Sequence, residues 1–483
     1  MKRRRFGVVD VGSNSVRLVV VDKVGQALQP LFNEKVLAGL GATVRETGRL
    51  DPAGVRRALN ALRRFVHVAR AMNVERLDAF ATEAVRAAAD GAEFVAAVEA
   101  EAGLRISILS GQDEARLAAC GILAAEPSAD GLVGDLGGGS LELVVVEGGR
   151  AREQATLPVG PLLMQGYKRP ADAVAAIDEQ LHGIPWLGQM AGRTLYPVGG
   201  AWRSFAKAHM AQRDYPLRII HHYEIAGTEA LAYAGLVARA GRGQVQRLKD
   251  VSRRRRETLP HGALVLERLL HAVAASSVVF SAFGIREGLV FEREPSNGYH
   301  PLVDFARMTG RDYARLPPEG EALREWVAPL FDPAGPVLWR EAVCWLSDVA
   351  GREHPDYRAT HAFYRVLRMP CVGTSHAGRV YLAIALYVRY AGAVDEQRFA
   401  PYGRLLDPAL REEAIRLGLA LRLAFAVSPG GRDMLGATRL RVENRQVHLA
   451  VDADAVGLDG EAVERRLAEL AKRFGQECLM VVD

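Results

Sequence analysis

Apolar positions fall first in short unbroken runs. Residues 6 to 11 and 16 to 22 are apolar and β-branched, with Gly12-Ser13-Asn14-Ser15 between them, a spacing that predicts a hairpin around a tight turn. The period then changes. Between Pro52 and Ala71 the apolar residues Val55, Leu59, Leu62, Phe65, Val66 and Ala69 recur every three or four positions, as on one face of a helix. Further on, the pattern predicts a strand over Leu77 to Ala81, a helix over Phe94 to Ala102, a strand over Ile106 to Leu109 and a helix over Gln112 to Ala124. Strands alternating with helices define the class as α/β.

The same pattern returns. The stretch Val8 to Asp22 aligns without a gap on Val133 to Glu147, matching Asp10 with Asp135, Gly12 with Gly137, Ser15 with Ser140 and a Leu-Val-Val-Val run in each. Two halves built on one plan follow, each presenting a hairpin turn, and the two turns can face one another across a cleft. From about residue 299 the glycine hairpins give way to helical patterns, at Glu319 to Phe331, Trp339 to Ala350 and Val380 to Arg389. Pro295, Ser296, Asn297, Gly298 and Pro301 mark the boundary. A hairpin over Thr438 to Val442 and Gln446 to Val451, turning at Asn444, and a helix over Gly460 to Arg473 predict a small α+β end.

Composition narrows the picture. The chain has 483 residues, 49% hydrophobic and 25% charged, which fits several soluble domains rather than a disordered or membrane protein. No run approaches the roughly 18 to 20 apolar residues of a membrane helix, and Lys2-Arg3-Arg4-Arg5 leads straight into the first strand. Cys120, Cys344, Cys371 and Cys478 are scattered, without metal or disulfide spacing. A cytoplasmic location is expected. The net charge is only +5, yet positive residues clump at Lys2 to Arg5 and Arg253 to Arg256. Such clumps suit a polyanionic ligand; a solvated loop or a crude nucleic-acid tether reads them equally well.

Turns of Gly, Ser and Asn allow backbone N–H groups to converge on an anion, because no Cβ blocks close approach and positive φ is allowed. Gly12, Ser13 and Asn14 in one turn, and Gly137, Gly138, Gly139 and Ser140 in the other, are therefore the phosphate-binding candidates. Asp10 and Asp135 beside them would repel phosphate unless a divalent cation intervened, so Mg2+ or Mn2+ is expected, with Glu142 as a further contact. A lone acid at a turn is more often a structural cap; a matched pair beside two glycine turns favours the metal.

At this point the sequence resembles the exopolyphosphatase and guanosine pentaphosphate phosphatase family of the actin-like ATPase superfamily, over roughly residues 6 to 295. Asp10 to Ser15 looks like its first phosphate loop and Gly134 to Glu142 like its second; Ala81 to Arg86 resembles the segment whose arginine contacts phosphate, and Ser281 to Gly288 its closing motif. Ser110 to Leu117 is similar to the segment supplying the catalytic glutamate. The resemblance thus implies Glu114 as base and Arg86 as phosphate clamp. Ser110 and Asp113 form a capping box, placing Glu114 in the first helical turn, where the helix dipole favours an ionised carboxylate.

Pro197 to Arg203 resembles the superfamily's adenosine-side glycine motif, which also reads as close strand-to-helix packing. Long family members resemble a metal-dependent His-Asp (HD) phosphohydrolase domain in the C-terminal part, where this chain has Ser347-Asp348. Without the leading histidine a dinuclear site lacks a ligand, so a structural or substrate-guiding domain is expected.

The expected architecture is two ribonuclease H/actin-like domains, 1–126 and 127–298, forming a cleft, then a helical degenerate HD-like domain, 299–435, and a small α+β unit, 436–483. The expected activity is hydrolysis of the terminal phosphate of inorganic polyphosphate, using Mg2+ or Mn2+ with K+ as a further ion. The rivals are removal of phosphate from guanosine pentaphosphate (pppGpp) at the same site, an actin-like kinase or ATPase, and a non-catalytic polyphosphate sensor. No specific nucleic-acid partner is expected. The apolar C-terminal helices suit a homodimer.

Overall fold

The computed structural model describes residues 2–241, 244, 251–295, 298–317, 319–428, 432–455, 457–458 and 460–482. Ser296 and Asn297, part of the expected boundary signal, lie outside the described residues, as do the side chains of Arg253 and Arg254. The chain divides into two compact units, Met1–Gly298 and Tyr299–Asp483.

The first unit holds two sheets. One has the order β3-β2-β1-β4-β5, from β1 (Arg4–Val11), β2 (Val16–Val24), β3 (Ala27–Val36), β4 (Arg76–Ala81) and β5 (Ser107–Ile108). The other, read from its far edge, is β8-β7-β6-β9-β11-β10. Its strands are β6 (Gly131–Leu136), β7 (Leu141–Glu147), β8 (Arg150–Leu157), β9 (Thr194–Val198), β10 (Tyr223–Ala226) and β11 (Ser277–Phe280). In both sheets three antiparallel strands run into a parallel strand beside the first of them, β4 beside β1 and β9 beside β6. The repeat seen in the sequence is thus a repeat of topology.

Each sheet buries apolar side chains against its crossover helices. The helix Pro52–Ala71 starts at Asp51, whose carboxylate accepts from the Gly54 N–H at 2.6 Å, a standard N-cap. It buries Ala58, Leu62, Phe65 and Val66. Full burial of Leu62 and Phe65 contributes roughly 1.5–3 kcal/mol each. The helices Gly111–Ala125 and Ile285–Arg293 pack closely, because Gly121 lies against the Gly284 backbone and Gly288 against the Leu117 carbonyl.

The second unit is helical through Pro408–Val427 and ends in a three-stranded sheet, β12 (Thr438–Glu443), β13 (Gln446–Val451) and β14 (Glu477–Val482). The β12–β13 turn places Asn444 and Arg445 at positive φ, 49° and 63°. β14 is parallel to β13 and was not foreseen, since Glu477 and Cys478 interrupt its apolar pattern at the strand's start. No described helix is long and apolar enough to cross a membrane.

Candidate active site

The two glycine turns are closed by the same bond: the Gly12 N–H donates to the Ser15 carbonyl at 3.0 Å, and the Gly137 N–H to the Ser140 carbonyl at 3.0 Å. Their braces also match. The carbonyls of Ser13 and Asn14 accept from Gly41 and Gly39; those of Gly138 and Gly139 accept from Leu162 and Gly160. Among the described residues the N–H groups of Ser13 and Gly138 have no hydrogen-bond partner. The expected use of positive φ is corrected: no residue of either turn has it. Close approach is what requires glycine, most clearly at Gly160, where a Cβ would overlap the backbone of Gly138 and Gly139; at Gly139 it would meet only the movable Glu83 carboxylate.

Asp10 and Asp135 sit at matching places near the ends of β1 and β6, paired in register with Arg17 and Glu142. The site is therefore asymmetric, with a guanidinium across from one aspartate and a carboxyl across from the other. Asp10 lies 3.9 Å from Arg286 and keeps 30% of its side-chain surface open. Its position deep among neighbouring atoms nevertheless raises its pKa, against the pull of Arg286 and Arg17. Burial lifts Asp135 to about 6, with Arg203 opposing and Asp10 adding repulsion. Burial and the charge of Glu114 push Glu142 up to about 9. Glu142 is 2% exposed, and its Oε1 has no hydrogen-bond partner.

Glu114 stands in the first turn of the helix Gly111–Ala125, behind the capping box of Ser110 and Asp113. Asp113 is held below its ordinary pKa, first by the Ser110 hydroxyl. Glu114 departs from the expected ionised state. Burial raises it to about 7, overcoming the Arg86 guanidinium that donates to it at 2.6 Å. Desolvation of a carboxylate outweighs a helix-start dipole worth a fraction of that energy. Arg86 bridges Glu114 and the Leu109 carbonyl.

Four further residues join the site. Glu83 accepts from the Gly139 N–H at 3.1 Å, placing a carboxylate on a donor of the second turn. Burial lowers the pKa of Arg17, and of Arg203 to about 10, and Arg286 repels both. Arg17 had a signal in the sequence, its register with Glu142 in the repeat; Glu83, Arg203 and Arg286 lay inside quoted motifs with no local feature to single them out. In the basic run, Arg255 lies against Gly200 and bears electrostatically on Arg17, while Arg256 donates to the Val251 carbonyl. Gly199 has φ 103° and abuts the Leu136 carbonyl, a close strand-to-helix approach.

A sequence model of the Ppx/GppA phosphatase family matches residues 19–297. The chain belongs to this family. A model described as the C-terminal part of exopolyphosphatase matches residues 331–481. Retrograde regulation protein 2 of Saccharomyces cerevisiae is 26% identical over 94% of this chain and 87% of its own length. Exopolyphosphatase 1 of Mycobacterium leprae is 27% identical over 60% of this chain and 89% of its own. The crystal structure of an Aquifex aeolicus Ppx/GppA family member superposes with a TM-score of 0.54 at 24% identity, covering 60% of this chain and 98% of that one. That likeness agrees with the paired sheets.

Ppx/GppA phosphatases hydrolyse phosphoanhydride bonds and are divalent-metal dependent in general. Among the described residues no three His, Cys, Asp or Glu side chains converge as a ready metal cluster; Asp10, Asp135 and Glu142 do not form one. The donor set still suits a hydrated Mg2+-like ion, which binds through one or two carboxylates plus substrate phosphates. The orphaned Glu142 Oε1 beside Asp135, both with raised pKa, is the oxygen such an ion would satisfy.

Proposed function

We propose that this chain is a metal-dependent exopolyphosphatase, releasing orthophosphate from the end of inorganic polyphosphate. The observation that carries this reading is Glu114: a buried carboxyl lifted to about 7, held by Arg86 and crowded by Asp135 and Glu83. A base poised near neutrality is suited to accept a proton from water. As the water oxygen bonds to the terminal phosphorus, Glu114 takes its proton and the anhydride P–O bond breaks toward the shortened chain.

The turns Gly12-Ser13-Asn14 and Gly137-Gly138-Gly139-Ser140 offer backbone donors to the phosphate oxygens, and Arg17, Arg203 and Arg286 supply the balancing charge. Positioning and charge stabilisation account for most of phosphoryl-transfer catalysis. The substrate must displace Glu83 from Gly139, and Arg86 reaches phosphate only by loosening its hold on Glu114. Asp135 and Glu142, with Asp10, would hold Mg2+, which neutralises phosphate charge when bound.

The reading keeps the remaining expectations together: actin-like domains over 1–126 and 127–298, an HD-like helical domain over 299–435, a terminal unit over 436–483, a cytoplasmic homodimer, and K+ as an additional ion. The test is orthophosphate release from long-chain polyphosphate and from pppGpp, side by side, with divalent metal. A higher kcat/KM on polyphosphate is expected. Release from pppGpp alone moves the assignment to that substrate, and release from neither overturns it.

A further inference from the structure

The C-terminal unit carries a second concentration of charge that the proposed reaction does not use. Arg315 follows the helix Pro301–Tyr313; Arg358 opens the helix Arg358–Arg368; Arg389 lies on His376–Ala391, Arg422 on Pro408–Val427 and Arg466 on Glu461–Phe474. These five arginines, from five separate elements, line one cavity of about 180 Å³ with Phe425. Two of them, Arg315 and Arg389, meet the carboxylate of Asp348, the acid of the Ser347-Asp348 pair. Arg315 grips it through Nε at 3.1 Å and Nη2 at 2.8 Å, and Arg389 stands 3.6 Å away.

Asp348 beside Arg315 and Arg389, and Glu469 acting on Arg422, do not balance five guanidinium groups, and burial sharpens the imbalance. Arg389 is 8% exposed, sandwiched on the rings of Phe425 and Tyr390 at 3.9 and 4.2 Å. The Nε atoms of Arg389, Arg422 and Arg466 are buried with no hydrogen-bond partner. Burial lowers the pKa of Arg389 to about 10, and that of Arg422 as well, with Arg466 adding repulsion and Glu469 opposing it. Arg358, Arg422 and Arg466 each donate once to a backbone carbonyl, of Glu353, Tyr390 and Arg422, but buried donors without acceptors cost free energy, and the Nε groups of Arg389, Arg422 and Arg466 leave the cluster short of an acceptor.

The geometry selects its chemistry. Guanidinium forks approaching from several directions match the oxygens of a tetrahedral phosphate better than a planar carboxylate. A volume of 180 Å³ holds about six water-sized groups, enough for one or two phosphate units, and is smaller than the roughly 300–1,000 Å³ of pockets that enclose whole cofactor-sized ligands. We propose that Arg315, Arg358, Arg389, Arg422 and Arg466 form a second phosphate site that binds a compact phosphoanion, either free pyrophosphate or the terminal diphosphate of a larger ligand. Asp348, at the place of an HD metal ligand, then serves to orient Arg315 and Arg389.

The experiment is calorimetric titration of full-length protein, without divalent metal, using inorganic pyrophosphate and a nucleoside diphosphate as probes. The background variant Gly138→Asp puts a carboxylate into the second turn and blocks the first site. In that background, binding of at least one probe is expected to persist and to weaken at least tenfold in Arg358→Gln and in Arg466→Gln, both partly exposed positions whose melting curves should stay close to the parent. Tighter binding of pyrophosphate identifies a free anion, and tighter binding of the nucleotide identifies the diphosphate of a larger ligand. No binding in the blocked background, or affinity unchanged by both substitutions, overturns the proposal.

Discussion

Replacing Glu114 by glutamine tests the site through two readouts that move in opposite directions. In the folded protein burial lifts the Glu114 carboxyl from 4.5 to about 7. At 1.36 kcal/mol for each tenfold change in proton affinity, that rise is worth about 3 kcal/mol. The sign follows from linkage. Below pH 4.5 the carboxyl is protonated in both folded and unfolded chains, and nothing is lost. As pH rises toward 7 the unfolded chain gives up this proton while the folded chain keeps it, so stability falls, and above 7 the full penalty is present. Glutamine keeps the shape and a neutral hydrogen bond to Arg86, and the rise to about 7 already includes the charge-assisted bond that the ionised parent makes. The variant should therefore be about 3 kcal/mol more stable than the parent at pH 8 and equal to it near pH 4. At roughly 2 °C per kcal/mol for a large domain, its melting midpoint should rise by about 6 °C at pH 8. Its kcat for orthophosphate release should fall about 10²- to 10⁴-fold, the usual contribution of a general base. Melting at the two pH values and a phosphate-release assay give both numbers. A variant that keeps more than a tenth of parental kcat, or whose melting midpoint follows pH as the parent's does, refutes the assignment of Glu114 as a buried base.

Three other outcomes follow from the same structure. In the parent, kcat/KM should climb about tenfold per pH unit below pH 7 and level off above it, because the base must lose its proton; a profile flat from pH 5.5 to 8 would contradict this. Glu142→Gln should weaken Mg2+ binding roughly tenfold, about 1.4 kcal/mol, because glutamine cannot give up the proton that Glu142, lifted to about 9, would release on meeting the ion; calorimetry on the resting protein reads it, and unchanged affinity removes Glu142 from the metal site. Gly288→Ala should destabilise the first unit by about 1–3 kcal/mol, since its Cβ would overlap the Leu117 carbonyl, and denaturant melts would show it.

The elements and the repeat were legible along the chain because they rest on local rules. Alternation and helical periodicity located the helix Pro52–Ala71 to the residue. The gapless match of Val8–Asp22 with Val133–Glu147 identified two turns that the structure closes with the same hydrogen bond. The capping box of Ser110 and Asp113 was readable because its partners are three residues apart. Tertiary structure alone decided the electrostatics. Arg86 meets Glu114 across 28 residues, and Glu83 meets the Gly139 N–H across 56. Glu114 looked like any ionised helix-start acid until packing removed its water. Desolvation and long-range charge depend on everything that folds around a group, and no spacing rule carries that information. The chain by itself specified which residues stand at the two turns; the fold determined their protonation, their partners, and the gathering of five distant arginines around one cavity in the second unit.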